Sequence, residues 1–357
     1  MAYLSSEMRK IPIKNIYYLL CYSWNRLEES EIVDVSDLDF SDHVDLYAFV
    51  LIKGIRHLLR RGLAKGYQEH SEVIPGIRGR VNIAPTMQKM LIPQGLAHCS
   101  FDELTINILA NQIIKSTIHN LTQVQNIDGG LKQQLRVLAR EMSGIDLPLL
   151  NKALFRRIQL NSNARYYRFL LNICELIFNS IYIDESTGQY RFKDFTQDEL
   201  KMAQVFEEFL FKFYQTERPD LIIKKEKINW HASVQNPGDL KYLPQMKTDI
   251  SISSSEKKVI IDAKYYRKSL SNYYDTEKVH SGHLYQLLAY LKNIEAQENN
   301  VQICEGMLIY PTVKETLRLE YSLLGHRVQI CTVNLADHWT DIRDELLGLI
   351  QDIKTLK

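Results

Sequence analysis

Apolar residues recur at helical spacing through most of the first half of the chain. Ile13, Ile16, Leu20, Trp24 and Leu27 fall three and four apart, which predicts a helix with one apolar face over 13–27. The pattern repeats over 44–63, and His57, Arg60 and Arg61 near its end suit a helix C-terminus. It returns over 102–124, 131–142 and 166–181. Between these stretches, SEVIPGIRGRVNI (71–83) breaks the helical period: Pro75, Gly76 and Gly79 punctuate it, while Val73, Ile74, Val81 and Ile83 favour extended chain. A β-hairpin or looped pair of strands is expected there.

The second half changes character. The polar, turn-rich segment 184–199 marks a boundary, so an N-terminal domain over 1–190 and a C-terminal domain over 191–357 are expected. A helix over 199–214 carries Met202, Val205, Phe206, Phe209 and Phe213 on one face. Strands are predicted in LIIKKEKINW (221–230), TDISIS (248–253) and KKVIIDAKYY (257–266), then a helix over 283–294. Strands in ICEGMLIY, RLEYSLL and RVQICTV and a last helix over 339–353 complete an α/β pattern around a mixed sheet. The expected fold class is α/β: a mostly helical N-terminal region with a β-hairpin, then a sheet flanked by helices.

Composition alters this picture little. A hydrophobic fraction of 45% and a charged fraction of 24% are ordinary for a globular protein. The net charge of +1 gives no global support for nucleic-acid binding and leaves room for a local basic face. Residues 241–290 hold eight Lys or Arg against five Asp or Glu, a modest local excess. Five scattered cysteines without a C-x-x-C pair point to free buried thiols rather than disulfides or structural zinc. With no secretory signal and no apolar run of membrane-spanning length, the expected location is the cytoplasm, with no membrane partner.

The stretch TDISISSSEKKVIIDAKYY (248–266) carries the candidate chemistry. It reads as a hairpin, and because strand side chains alternate, Asp262 and Lys264 share a face with Ala263 opposite. If the strands pair so that Asp249 meets Asp262, two carboxylates and an amine converge. Two carboxylates are hard oxygen ligands suited to Mg²⁺, which polarises a phosphate and acidifies a bound water. A lysine beside them can orient that water and offset charge that develops in the transition state. D-x-K alone also describes an ordinary surface ion pair. Here, however, it follows the run Val259, Ile260 and Ile261, which reads as a central strand buried on both faces. Charges at the end of such a strand are unfavourable unless paired or metal-bound. Downstream, Gln286 and Tyr290 are four apart on one helix face and can contact the active strand or DNA. Glu207 on the preceding helix is a further candidate metal ligand. Arg78 and Arg80, in the Pro/Gly-framed turn, are candidates for partner contact, and Asn163, Arg165 and Tyr166 form a weaker second cluster.

D-x12-D-A-K followed by Q-x-x-x-Y resembles the PD-(D/E)xK nuclease superfamily, with Thr248 in the proline position. In addition, IPIKNIYYLLCYSW, EVIPGIRGRVNI, NARYYRFL, TDISI…VIIDAKYY and LYQLLAYL, in that order, resemble the McrC family of nuclease subunits of the McrBC modification-dependent restriction systems. The resemblance implies an N-terminal domain that docks on an McrB-like AAA+ GTPase ring and stimulates its GTP hydrolysis. It also implies a C-terminal PD-(D/E)xK endonuclease domain that uses Mg²⁺, with GTP bound by the partner and not by this chain. The implied substrate is double-stranded DNA containing 5-methylcytosine preceded by a purine, with recognition left to the partner. On this resemblance Asp249 and Asp262 match the metal ligands and Lys264 the catalytic lysine. A stand-alone or RecB-like nuclease, and a non-catalytic subunit that only activates the GTPase, are the alternatives.

Overall fold

The computed structural model describes residues 11–25, 33, 35, 40, 42–160, 164–184, 186–233, 236–254, 256–265, 279–297, 303–313 and 316–353. The chain divides into two compact units, one made of 31–193 and the other of 1–30 together with 194–357. The boundary at 193/194 lies inside the polar segment expected to hold it. The first thirty residues, expected in the N-terminal domain, belong instead with the C-terminal unit. Asn163 of the weaker candidate cluster lies outside the described residues.

Helix α1 (Ile13–Ser23) is amphipathic as its spacing predicts, and Ile16, Tyr17, Leu19, Leu20 and Tyr22 are buried. The 31–193 unit follows. Helix α2 (His43–Arg61) is N-capped by the Asp42 carboxylate, which accepts the Val44 amide. Strand β1 (Gly66–Pro75) and the short β2 (Arg80–Val81) come next, then helix α3 (Ile83–Gln88) and strand β3 (Leu96–Thr105).

β1 and β2 do not pair with each other. Both pair antiparallel with β3, in the order β1-β3-β2, so of the two arrangements expected at 71–83 the hairpin is corrected and the looped pair of strands is found, joined through a distant third strand. The turn itself follows the sequence. Gly79 has φ +68, and a Cβ there would fall 2.5 Å from the Ser100 carbonyl oxygen, so only glycine fits.

Helix α4 (Leu109–Gln123) begins seven residues later than the 102–124 pattern predicts, because 102–105 belongs to β3. Pairing with β1 supplied backbone partners that a local period does not reveal. Helices α5 (Gly129–Glu141), α6 (Lys152–Arg156) and α7 (Arg165–Ser180) and the hairpin β4 (Ile181–Asp184)–β5 (Gln189–Phe192) complete the unit.

In the second unit, helix α8 (Glu199–Glu217) is capped by Asp198 and buries Met202, Phe206, Phe209, Leu210 and Phe213. The expected strand 221–230 is two short ones, β6 (Ile222–Lys224) and β7 (Lys227–Ile228), which join different sheets. β7 pairs with β8 (Met246–Lys247). The remaining elements are β9 (Ile250–Ser253), β10 (Lys257–Ala263), helix α9 (Ser281–Gln297), β11 (Ile303–Thr312), β12 (Arg318–Leu323), β13 (His326–Asn334) and helix α10 (Trp339–Leu349). The main sheet has six strands in the order β12-β13-β11-β10-β9-β6, with β10, β11 and β13 parallel and the other pairs antiparallel. β10 is central, and 258–262 is buried along its whole length, as the unbroken apolar run predicts.

α1 is bound into this unit by polar and aromatic contacts. Asn15, fully buried, donates from Nδ2 to the carbonyls of Leu335 (2.8 Å) and Asp337 (2.9 Å) just beyond β13. Tyr22 donates its hydroxyl to Glu217 at 2.6 Å, and the same carboxylate accepts Nε and Nη2 of Arg343 from α10. Tyr18 stacks on Trp339 with ring centroids 4.8 Å apart. All five cysteines are buried and none is disulfide-bonded. Among the described residues no helix is long and apolar enough to cross a membrane.

All three tryptophans, Trp24, Trp230 and Trp339, belong to this unit, so their fluorescence under urea follows its unfolding alone. Asn15→Ala leaves two carbonyls without their donor and is expected to lower that unit's stability by about 2 kcal/mol. An unchanged midpoint and slope would show that α1 is not part of this cooperative unit.

Candidate active site

The site is built at the C-terminal end of β10, where open α/β sheets place their ligands. The β9–β10 register sets Ile250 opposite Ile261, so the next pair outward is Asp249 and Asp262. The Ala263 amide donates to Asp249 Oδ2 at 2.9 Å, which locks the first carboxylate onto the strand bearing the second. Beyond β10 the chain stays extended, with the Lys264 amide donating to the Ile309 carbonyl at 3.0 Å. Alternation therefore puts Lys264 on the same side as Asp262, and its Nζ lies 2.8 Å from Asp262 Oδ2.

Helix α9 completes the group. Gly306 on β11 lets the helix lie close: a Cβ there would come within 2.9 Å of Leu287 and Leu291. Leu287, Tyr290 and Leu291 join the core with Ile260, Leu308 and Ile330. So seated, α9 presents Gln286, whose Oε1 accepts from Lys264 Nζ at 3.0 Å and whose Nε2 donates to the Tyr290 hydroxyl at 2.7 Å. The lysine is thus held from two sides, by a carboxylate and an amide that is itself fixed by a buried tyrosine. The five expected residues Asp249, Asp262, Lys264, Gln286 and Tyr290 come together.

Glu207 stands apart from this group. Its carboxylate pairs with Lys225 at 2.8 Å, a lysine that also takes Glu208, and among the described residues no three His, Cys, Asp or Glu side chains gather as a metal cluster. Its charge nevertheless reaches both aspartates. Two supports lay outside the sequence reading. Thr248, in the proline position, is buried and its hydroxyl accepts the Glu226 amide at 2.9 Å, tying the segment before β9 to the loop after β6. His283, at the start of α9, hydrogen-bonds the Tyr310 hydroxyl at 2.8 Å. Burial, with Lys264 and His280 nearby, pushes His283 down to about 4, so it is neutral at physiological pH. Only its position one turn before Gln286 could have signalled it.

The electrostatics are those of a ligand set. Asp262 is 0% exposed, and neither of its carboxylate oxygens has a hydrogen-bond partner of good geometry, so Lys264 is its principal counter-charge. Burial, then the charges of Asp262 and Glu207, push Asp249 up to about 7. Burial also raises Asp262, against the opposing pull of Lys264. A buried and a half-buried carboxylate that resist simultaneous ionisation, one with an orphaned oxygen, could hold a divalent cation.

Arg78 and Arg80, in the other unit, are both exposed. The Arg78 guanidinium lies over the Phe101 ring at 4.1 Å and approaches Glu103 at 3.9 Å. Arg80 opens β2 rather than sitting in the turn.

The raised Asp249 gives a pH-dependent signature. A carboxyl whose folded pKa lies above its ordinary 3.8 contributes stability at low pH and loses it as pH rises towards 7. In EDTA, Asp249→Asn is therefore expected to melt roughly 2–5 °C above the natural protein at pH 8, and at the same temperature near pH 4. A variant that melts lower at pH 8 would show that the carboxylate pair is not strained.

Residues 13–311 match the family model described as McrBC 5-methylcytosine restriction system component. The chain is 36% identical over 346 residues to the type IV methyl-directed restriction enzyme EcoKMcrBC of Escherichia coli K12, covering 97% of this chain and 99% of that protein. It also resembles a solved structure, a half-complex from a tetradecameric assembly of Thermococcus gammatolerans McrB AAA+ hexamers with bound McrC. That likeness has a TM-score of 0.57 at 15% identity and covers 95% of this chain and 76% of that one, so it speaks to the fold. The family match spans both units and both the candidate strand and its helix, and the chain therefore belongs to the McrBC 5-methylcytosine restriction system component family.

Proposed function

We propose that the chain is the DNA-cleaving subunit of a modification-dependent restriction complex, with a PD-(D/E)xK site made of Asp249, Asp262 and Lys264. The observation that carries this reading is Asp262, wholly buried with Oδ1 unpartnered and Lys264 alone against Oδ2, beside a second aspartate whose pKa is also raised. A fold without metal chemistry to perform gains nothing from that arrangement.

Asp249 and Asp262 would hold Mg²⁺. When bound, the ion supplies Lewis-acid polarisation of the scissile phosphate and a more acidic water. Lys264 orients the attacking water and neutralises charge that builds on the phosphate oxygens, and Gln286 and Tyr290 fix where its ammonium sits. Neutral His283 adds no competing positive charge beside it.

The target is double-stranded DNA containing 5-methylcytosine, and the partner is an McrB-like AAA+ ring that binds GTP and reads the modification. The relative's name as a methyl-directed restriction enzyme supports a methylated target, and the neighbour's AAA+ hexamers with bound McrC support a ring partner. The 31–193 unit is the ring-docking part, and exposed Arg78 and Arg80 are its candidate partner contacts.

Asp262→Ala, assayed with the ring partner, GTP, Mg²⁺ and methylated duplex, should lose at least about 10³-fold in cleavage while stimulation of GTP hydrolysis persists. Persistent cleavage would remove the assignment. Cleavage by the natural chain without partner or GTP would favour a stand-alone nuclease. Gln286→Ala removes only the lysine's support and is expected to lower the single-turnover cleavage rate by about 10-fold, leaving DNA affinity unchanged.

A further inference from the structure

The cations of the 31–193 unit are unevenly placed. From 46 to 68 the sequence carries Lys53, Arg56, Arg60, Arg61 and Lys65 and no Asp or Glu. From 147 to 174 it carries five more Lys or Arg, Arg165 and Arg168 among them, again with no acid. For a chain of net charge +1 these are long runs of one sign.

The fold brings the two runs together. The His57 ring of α2 lies 4.8 Å from the Tyr166 ring of α7, and Arg60 is near enough for its charge to act on both side chains. Lys53, Arg56 and Arg60 are spaced i, i+3 and i+7, which makes one stripe of about 10 Å along α2. All three are exposed, as are Arg61, Arg165 and Arg168. Among the described residues, Lys53, Arg56, Arg60, Arg61 and Arg168 form no ion pair; Lys53 rests over the Phe49 ring at 5.2 Å. Like charges packed this closely repel, so the face costs stability unless a polyanion covers it.

The composition of the face indicates which polyanion. None of the exposed large hydrophobic residues lies on α2 or α7. A protein partner would need an apolar centre to its interface. Duplex DNA needs only cations, since each strand offers a phosphate about every 3.4 Å of helix axis, and a 10 Å stripe covers about three of them.

We propose that the face bearing Lys53, Arg56 and Arg60 on α2, bordered by α7, binds the sugar–phosphate backbone of duplex DNA without reading its sequence. It is a second DNA contact, carried by the unit that lacks the Asp249–Asp262 site. The inference rests on the reading of this chain as one that acts on DNA, and it holds the duplex through phosphates rather than bases.

The test is fluorescence anisotropy of the full-length chain with an unmethylated duplex of about 40 base pairs, in EDTA, over KCl from about 50 to 200 mM. The natural chain should bind, with affinity falling steeply as salt rises. Arg56→Gln/Arg60→Gln should weaken binding about tenfold or more and reduce the log–log salt slope by about 2. Arg136→Gln/Arg140→Gln on α5 removes the same charge elsewhere and should bind like the natural chain. Lys53→Gln, on the same stripe, gives a smaller loss in the same direction and serves if the double variant misfolds.

The proposal is overturned if the natural chain binds no DNA in this range, or if both double variants weaken binding alike. It is also overturned if Arg56→Gln/Arg60→Gln binds DNA normally, whether or not that variant still assembles with the ring partner. Asp262→Ala separates the two readings, because it should bind as the natural chain does and fail to cut. If it cuts, the nuclease assignment fails while the anisotropy result stands.

Discussion

Asp249 and Asp262 are two like-charged carboxylates packed side by side where little water reaches them, and the architecture of the C-terminal sheet follows from holding them there. Neither the antiparallel pairing of β9 with β10 nor the parallel pairing of β10 with β11 would by itself place a charge in the interior. Together they make β10 central, so a residue at its end is enclosed on both sides. The Ala263 amide then pins one carboxylate and Lys264 answers the other. The result is a site in which the protein tolerates carboxylate repulsion, which the proposed divalent cation would relieve.

The supports of that site reach far along the chain. Gly306 lets α9 approach the sheet, and α9 in turn supplies Gln286 and Tyr290 to hold the lysine. On α8, Phe206 packs against Tyr265 just past Lys264, with ring centroids 6.1 Å apart. α1, more than two hundred residues upstream of the site, closes the same unit through Asn15 and Tyr22. The unit that bears the candidate site is therefore discontinuous in sequence: its first helix precedes the whole of the 31–193 unit.

A near-zero net charge conceals two opposite local extremes. One is the acidic pair Asp249–Asp262, and the other is the cationic stripe along α2, which forms no ion pair among the described residues. In both, side chains of one sign are held close without protein partners sufficient to offset them. On the two proposals, a ligand of the opposite sign would answer each, a metal ion in the first case and a phosphate backbone in the second.

Much of this was legible in the sequence, because the relevant signals were local. The apolar run of Val259, Ile260 and Ile261 announced a buried strand, and the period-2 rule put Asp262 and Lys264 on one face. The four-residue spacing of Gln286 and Tyr290 put them on one helix face. Helix periodicity located α1, α2, α5, α7, α8 and α9 to within a few residues at most described ends. What local pattern could not supply was pairing between distant segments. Whether Asp249 meets Asp262 depends on a register that a one-residue slip would invert, and only the Ile250–Ile261 pairing decided it. The strand at 96–105 was partly hidden within a helix-like period, since its hydrogen bonds go to strands as many as thirty-nine residues earlier. Glu207 was only a further candidate from its place on the preceding helix, and its pairing with Lys225 could not be read from the sequence. Residue types and their spacing determined the chemistry this chain is equipped for. The tertiary structure decided which of those residues meet, because backbone pairing and burial act between segments that the sequence keeps far apart.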